Sequence, residues 1–144
     1  MEKNILAIDL GKGSIGLALS RSGMFVTPLK EVRFPATHYE FAIEGIKDMM
    51  ELERIESFVI GYPLFPSGDP CEMTPIVEDF ILRLNEVFPA IPVHKQDERN
   101  STVDAASLLH QQGKNAKKQR QNIDSAAAAV ILSRYLKSIG QMED

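Results

Sequence analysis

Apolar residues fall in short dense runs over the first third of the chain and at helical spacing after that. Residues 4–10 are almost continuously apolar, the pattern of a strand buried on both faces. Residues 15–20 form a second such run, in which Gly16 and Ala18 keep one face small. Residues 25–34 read as a third strand, where Pro28 requires an edge position or a bulge. Gly11-Lys12-Gly13 and Arg21-Ser22-Gly23 separate these runs, and we expect their glycines to supply the positive φ of tight turns. Three strands joined in this way make an antiparallel meander. From Tyr39 to Arg54 the apolar spacing lengthens to that of a helix. A short buried strand follows at 57–61. The loop containing Pro63, Pro66, Gly68 and Pro70 leads to Thr74-Pro75, which we read as an N-cap followed by proline at the first helical position. Ile76, Val77, Phe80, Ile81, Leu84, Val87 and Phe88 then trace one helical face. Residues 93–96 predict a fifth strand, 101–112 a helix closed by Gly113, and 123–139 a last helix.

Strands alternating with helices in the second half require parallel crossovers. The fold class is therefore α/β: a mixed five-stranded sheet, three meander strands plus two parallel ones, flanked by helices. This is a ribonuclease H-like arrangement. With no linker, repeat or low-complexity tract, we expect one domain over 1–144. A hydrophobic content of 44% with 25% charged residues suits a globular chain. No apolar run approaches the roughly 20 residues of a membrane span, and the run at 5–10 is too short for a signal-peptide core. The one cysteine, Cys71, has no internal partner, so we expect a cytoplasmic protein with no membrane association. The net charge of −4 argues against coating nucleic acid by bulk charge. It leaves room for a local basic patch, and Lys114, Lys117, Lys118 and Arg120 form the one dense cationic cluster.

Acidic residues carry the candidate chemistry. Asp9 closes the first strand, at the carboxyl end where open α/β sheets place ligands. Asp97 and Glu98 close the fifth, and because neighbours on a strand face opposite ways, one of them should point at the site while the other holds Arg99 or caps the next helix. On a helix Asp124 shares a face with Ala128, Ile131 and Tyr135, and the small residues 126–129 would let that helix approach the sheet. A carboxylate heading a buried face is costly without a cation or donor. The alternative at Asp124 is a carboxylate favoured by the helix dipole. Acids at three element ends, converging, suit a divalent-metal site acting on phosphates. His38, His94 and His110 have no triad context, and we read them as surface or partly buried residues.

Together these motifs resemble the YqgF family, also called RuvX, over nearly the whole chain. The shared residues are Ile8-Asp9-Leu10-Gly11 with Ile15-Gly16-Leu17-Ala18, then Val59-Ile60-Gly61-Tyr62-Pro63-Leu64 with Gly68. Asp97-Glu98-Arg99 and Asn122-Ile123-Asp124-Ser125-Ala126-Ala127 complete the set. The first motif also opens actin-like ATPases; four in order are specific. The resemblance implies a ribonuclease H-like nuclease linked to 5′-end maturation of pre-16S ribosomal RNA, a family first associated with Holliday-junction resolution. It implies Asp9, Glu98 and Asp124 as catalytic acids, with Asp97 as a further ligand, around Mg2+ or Mn2+, two ions in all. It also implies that Gly11, Gly61 and Pro63 shape the site. Lys12, Ser14, Arg99, Lys114, Lys117, Lys118 and Arg120 would face the phosphate backbone. The implied partner is structured RNA, with branched DNA as the alternative, and the chain would be a monomer or weak homodimer.

Two departures bear on substrate affinity. The family's first turn carries threonine, a basic residue and arginine where this chain has Lys12, Gly13 and Ser14, and its acidic block continues here as Asn100-Ser101-Thr102. The altered turn motivates a competing reading, a non-catalytic RNA-binding assembly factor. An ATP-binding module of the actin-like kind would need a second similar domain, which 144 residues do not supply.

Overall fold

The computed structural model describes residues 1–99 and 116–143, with side chains described for 1–99 and 126–143. Its elements run β1 (Ile5–Leu10), β2 (Ser14–Ser20), β3 (Thr27–Arg33), α1 (Glu40–Leu52), β4 (Ser57–Tyr62), α2 (Met73–Val87), β5 (Val93–Asp97) and α3 (Ala116–Ser138). The helix expected over 101–112 lies outside the described residues. The sheet order is β3-β2-β1-β4-β5. β1, β2 and β3 pair antiparallel, whereas β1–β4 and β4–β5 are parallel. This is the mixed five-stranded sheet the sequence predicts. Pro28 sits on β3, an edge strand, beside a register irregularity in the β2–β3 pairing, which is how the missing N–H is tolerated.

Alternation along β1 splits the core in two. Leu6, Ile8 and Leu10 face the layer made by α1 and α2, packing with Ile43, Ile46, Phe80 and Leu84. Ile5 and Ala7 face the other way, onto Ala128, Ile131, Leu132, Tyr135 and Leu136 of α3. Among the described residues, α3 alone covers that second face. The small side chains of Ala126, Ala127, Ala128 and Ala129 are buried, so the helix lies close to the strands. Burying each of Ile131, Leu132 and Leu136 contributes roughly 1.5–3 kcal/mol, which holds α3 as a lid over the sheet.

Three local expectations are corrected. Gly11 and Gly13 are not among the residues with positive φ. Their turn closes by a Gly11 N–H bond to the Ser14 carbonyl at 2.8 Å. The glycines provide room instead: a Cβ on Gly11 would stand 3.3 Å from the Ser14 carbonyl, and one on Gly13 3.4 Å from that of Phe34. Thr74 is not an N-cap, since α2 begins one residue earlier. Its Oγ1 donates to the Pro63 carbonyl at 2.6 Å and accepts from the Cys71 N–H at 2.9 Å, tying the loop to the helix. The last helix starts at Ala116 rather than 123.

Candidate active site

Period-two alternation carries the α3 face of β1 from Ile5 and Ala7 to Asp9. In β4 the same face holds Val59 and then Gly61, and Ile8 pairs with Ile60, so Asp9 stands level with Gly61. In β5, Tyr62 pairs with Asp97, and the Glu98 N–H then donates to the Tyr62 carbonyl at 3.3 Å. Asp9 and Gly61 thus lie level on adjacent strands, and Glu98, one residue past the end of β5, reaches the same carboxyl-end face.

Glu98 reaches Asp9, and the two carboxyl groups lie within hydrogen-bonding range. Burial pushes the Glu98 carboxyl above the usual range, and repulsion from Asp97 adds to this, against the opposing effect of the Asp9 bond. Gly61 makes the space. A Cβ there would come within 2.5 Å of Glu98 Oε2 and 2.6 Å of Ile131 Cδ1. The Glu98 carboxyl is seated on bare backbone with the α3 lid above it.

Asp97 takes the other part expected of the pair. Its Oδ1 accepts from the Arg99 N–H at 2.9 Å and its Oδ2 from Arg99 Nε at 2.7 Å, which holds the Asp97 carboxyl below its ordinary range. Arg99 Nη1 continues to the Pro66 carbonyl at 3.3 Å. Arg99 is therefore a strut from the end of β5 to the β4–α2 loop.

Comparison with known proteins places this arrangement in a family. The family model for RuvX, described as Holliday junction resolvase, matches residues 3–138. The chain belongs to the RuvX family. A protein of Chlorobium phaeobacteroides named "Putative pre-16S rRNA nuclease" is 38% identical over 141 residues, 96% of this chain and 94% of its own. One of the same name from onion yellows phytoplasma is 34% identical over 131 residues, 91% of this chain and 87% of its own. Among solved structures, Thermus thermophilus RuvC in complex with a Holliday junction substrate aligns at a TM-score of 0.59 with 16% identity, covering 97% of this chain and 98% of RuvC. The yeast mitochondrial Holliday junction resolvase Ydc2 aligns at 0.55 with 13% identity, covering 96% and 80%. These likenesses establish the ribonuclease H-like fold. Membership of RuvX makes the chain a nuclease by class, a hydrolase of phosphodiester bonds.

Within the RuvX frame the remaining expected residues separate. Position 124 lies on α3 one turn before Ala128, whose stripe through Ile131 and Tyr135 packs on β1 and β4. With the helix beginning at Ala116, that position is two turns inside it. Its side chain is outside the described set. Among the described residues no group of three or more His, Cys, Asp or Glu side chains could hold a metal ion. The described acids at the site are therefore the Asp9–Glu98 pair, with Asp97 turned to Arg99.

Lys117, Lys118 and Arg120 stand in the first turns of α3 rather than in a loop, and Lys114 lies outside the described residues. Lys12 pairs with Glu72 at 2.5 Å, joining the β1–β2 turn to the approach to α2. Ser14 opens β2, with its carbonyl closing the turn. Pro63 contributes the carbonyl that Thr74 holds. His94 stacks on Tyr135 at 5.2 Å and His38 bonds Glu40, so neither belongs to the acid pair. His110 lies outside the described residues. Sequence reasoning missed Arg134, whose Nη1 donates to the Arg99 carbonyl at 2.7 Å. Nothing local ties a lone arginine between Ser133 and Tyr135 to a residue 35 positions away.

Among the described residues no helix is long and apolar enough to cross a membrane.

Proposed function

We propose that this chain is a divalent-metal-dependent nuclease that trims the 5′ end of pre-16S ribosomal RNA. The observation that carries the reading is the Asp9–Glu98 pair: two carboxyls brought together under a helix lid, one of them raised by burial. Carboxylates so placed repel unless a proton or a cation lies between them. The donor set is all oxygen, which suits Mg2+ or Mn2+.

Asp9 and Glu98 would hold the metal, with Asp124 as the third ligand and two ions as the full complement. Bound divalent ions supply activation of water and stabilisation of the leaving oxygen. The chain's own residues do the positioning. Asp9 is fixed by its strand, paired opposite Gly16 on one side and level with Gly61 on the other. Asp97 and Arg99 pin the backbone from which Glu98 projects. Gly61 leaves the Glu98 carboxyl its place, and Ile131 shields it from water above.

RNA is favoured over branched DNA because the relatives matched at 34–38% identity carry the rRNA-nuclease name, whereas the resolvase name comes from the family model's description and from solved structures of 13–16% identity. The test is cleavage of a pre-16S 5′-leader fragment and of a four-way DNA junction with Mn2+, beside Asp9→Asn. An asparagine amide still bonds Glu98, so the variant should fold. RNA cutting lost in Asp9→Asn is the expected result. Junction cutting alone would move the substrate to DNA. Cutting of neither, with RNA still bound, would replace the nuclease by the assembly-factor reading.

A further inference from the structure

A cleft of about 700 Å3 opens beside the acid pair, along edge strand β5 and the second half of α3. Pro66, Gln96, Asp97, Arg99, Arg134 and Lys137 line it. Among the described residues lining it, three cations face one carboxylate, and that carboxylate is held by Arg99. Arg134 is fixed at the cleft wall by its bond to the Arg99 carbonyl. Lys137, three residues on, shares its helix face and is exposed. Of the described acids expected at the metal site only Asp97 lines the cleft, so the cleft adjoins the Asp9–Glu98 pair without including it.

At the cleft's rim the β4–α2 loop turns tightly. The Phe65 N–H bonds the Asp69 carbonyl at 2.9 Å, and the Gly68 N–H bonds the Phe65 carbonyl at 2.8 Å. Gly68 has φ of +94°, and a Cβ there would lie 3.7 Å from Arg99 Nη1. This turn presents Phe65 to solvent at 52% exposure, directly before the Pro66 that Arg99 anchors. An aromatic ring held outward on a pinned turn beside a cationic cleft matches the two needs of a single strand: charge for the backbone and a platform for an unstacked base. Inside a duplex the base faces are stacked and closed to such a ring.

We propose that this cleft binds a single-stranded flank of the nucleic acid, with phosphates on Arg134 and Lys137 and a base stacked on Phe65. The proposal rests on the nuclease reading of the adjoining site for its catalytic consequence, though not for binding. The test uses the full chain in EDTA and fluorescence anisotropy with a labelled 12-nucleotide uridine RNA, beside a blunt 12-base-pair RNA duplex. Arg134→Gln/Lys137→Gln should lower affinity for the single strand and flatten the slope of log K against log salt by about 1.4, two phosphate contacts at roughly 0.7 each. Phe65→Ala should weaken single-strand binding about tenfold, the loss of one stacked base, with little change in salt slope. Arg134→Lys, which keeps the charge, guards against a folding defect and should retain the slope.

Equal losses on duplex and single strand, or a double variant that binds the single strand as the unaltered chain does, would overturn the proposal. The two readings separate in cleavage. If the chain cuts, KM should rise in the double variant on a substrate with a single-stranded flank relative to one without. An unmoved KM there would sink the cleft and leave the nuclease standing. If nothing is cut yet single-strand binding still depends on Arg134, Lys137 and Phe65, the nuclease reading fails and the cleft stands.

Discussion

Replacing Gly61 by alanine tests the geometry of the site more sharply than removing an acid, because it adds one methyl and no charge. The added carbon would stand 2.5 Å from Glu98 Oε2 and 2.6 Å from Ile131 Cδ1, where ordinary contact begins at 3.4 Å. The Glu98 carboxyl must therefore retreat by about 0.9 Å and Ile131 Cδ1 by about 0.8 Å. Overpacking of this kind costs roughly 1–3 kcal/mol. For a chain of this size that is a fall in Tm of about 4–12 °C, leaving the protein folded at 25 °C. A displacement of about 1 Å in a reacting group costs on the order of 100-fold in rate. We expect kcat for RNA cleavage to drop by that factor while circular dichroism stays native. Adding Ile131→Val removes Cδ1 and should return part of the lost Tm, but not the activity, since Glu98 remains displaced. Gly61→Ala protein with unaltered Tm and cleavage within about threefold would refute the seating of Glu98 on Gly61, since a 1 Å shift should cost far more.

Other consequences follow from the same contacts. Burial raises Glu98 above the ordinary glutamate value of about 4.3, so the folded, metal-free chain retains a proton that the unfolded chain releases. That stability is complete below about pH 4.3 and is lost as pH rises through the elevated folded value, so metal-free Tm should decline on that limb. Glu98→Gln should flatten the limb and raise Tm at neutral pH, and a limb that persists in Glu98→Gln would contradict the assignment. Asp97 is shifted down by Arg99, so its contribution is present above about pH 3.9 and lost as pH falls through its folded value. Asp97→Asn should remove that acid limb and loosen the β4–α2 loop in hydrogen exchange. Its cleavage should exceed that of Glu98→Gln, which should lose on the order of 10³-fold; equal losses would give both acids the same role. Thr74→Val strips the partner from the Pro63 carbonyl and the Cys71 N–H, and should cost about 1–3 kcal/mol by thermal melting.

How far the sequence spoke depended on the range of the interaction. The strand alternation that set Asp9 on one face also separated Asp97 from Glu98, and both outcomes were legible because period two is a property of the backbone alone. The α3 stripe of Ala128, Ile131 and Tyr135 was legible for the same reason at period 3.6. The start of that helix was not, because residues 116–122 carry no apolar rhythm. Their alanine, lysine, glutamine and arginine are strong helix formers, so propensity held a signal that periodicity did not. Glycine permits a positive-φ turn after β1, whereas the chain uses those glycines for close approach to Ser14 and Phe34. Thr74 lacks the N-cap role its sequence position suggests because its hydroxyl serves Pro63, eleven residues back, in preference to its own helix. Glu98 lodged on Gly61 and Arg134 joined to Arg99 are tertiary contacts, invisible until the sheet assembles.

Metal binding at the acid pair is central to the proposed activity, and calorimetric titration of Mn2+ into the metal-free chain tests it without any substrate. Mn2+ should bind the unaltered chain, and the binding should vanish in Asp9→Asn. Binding of Mn2+ that is as tight in Asp9→Asn as in the unaltered chain, or no binding at millimolar metal, would contradict the site.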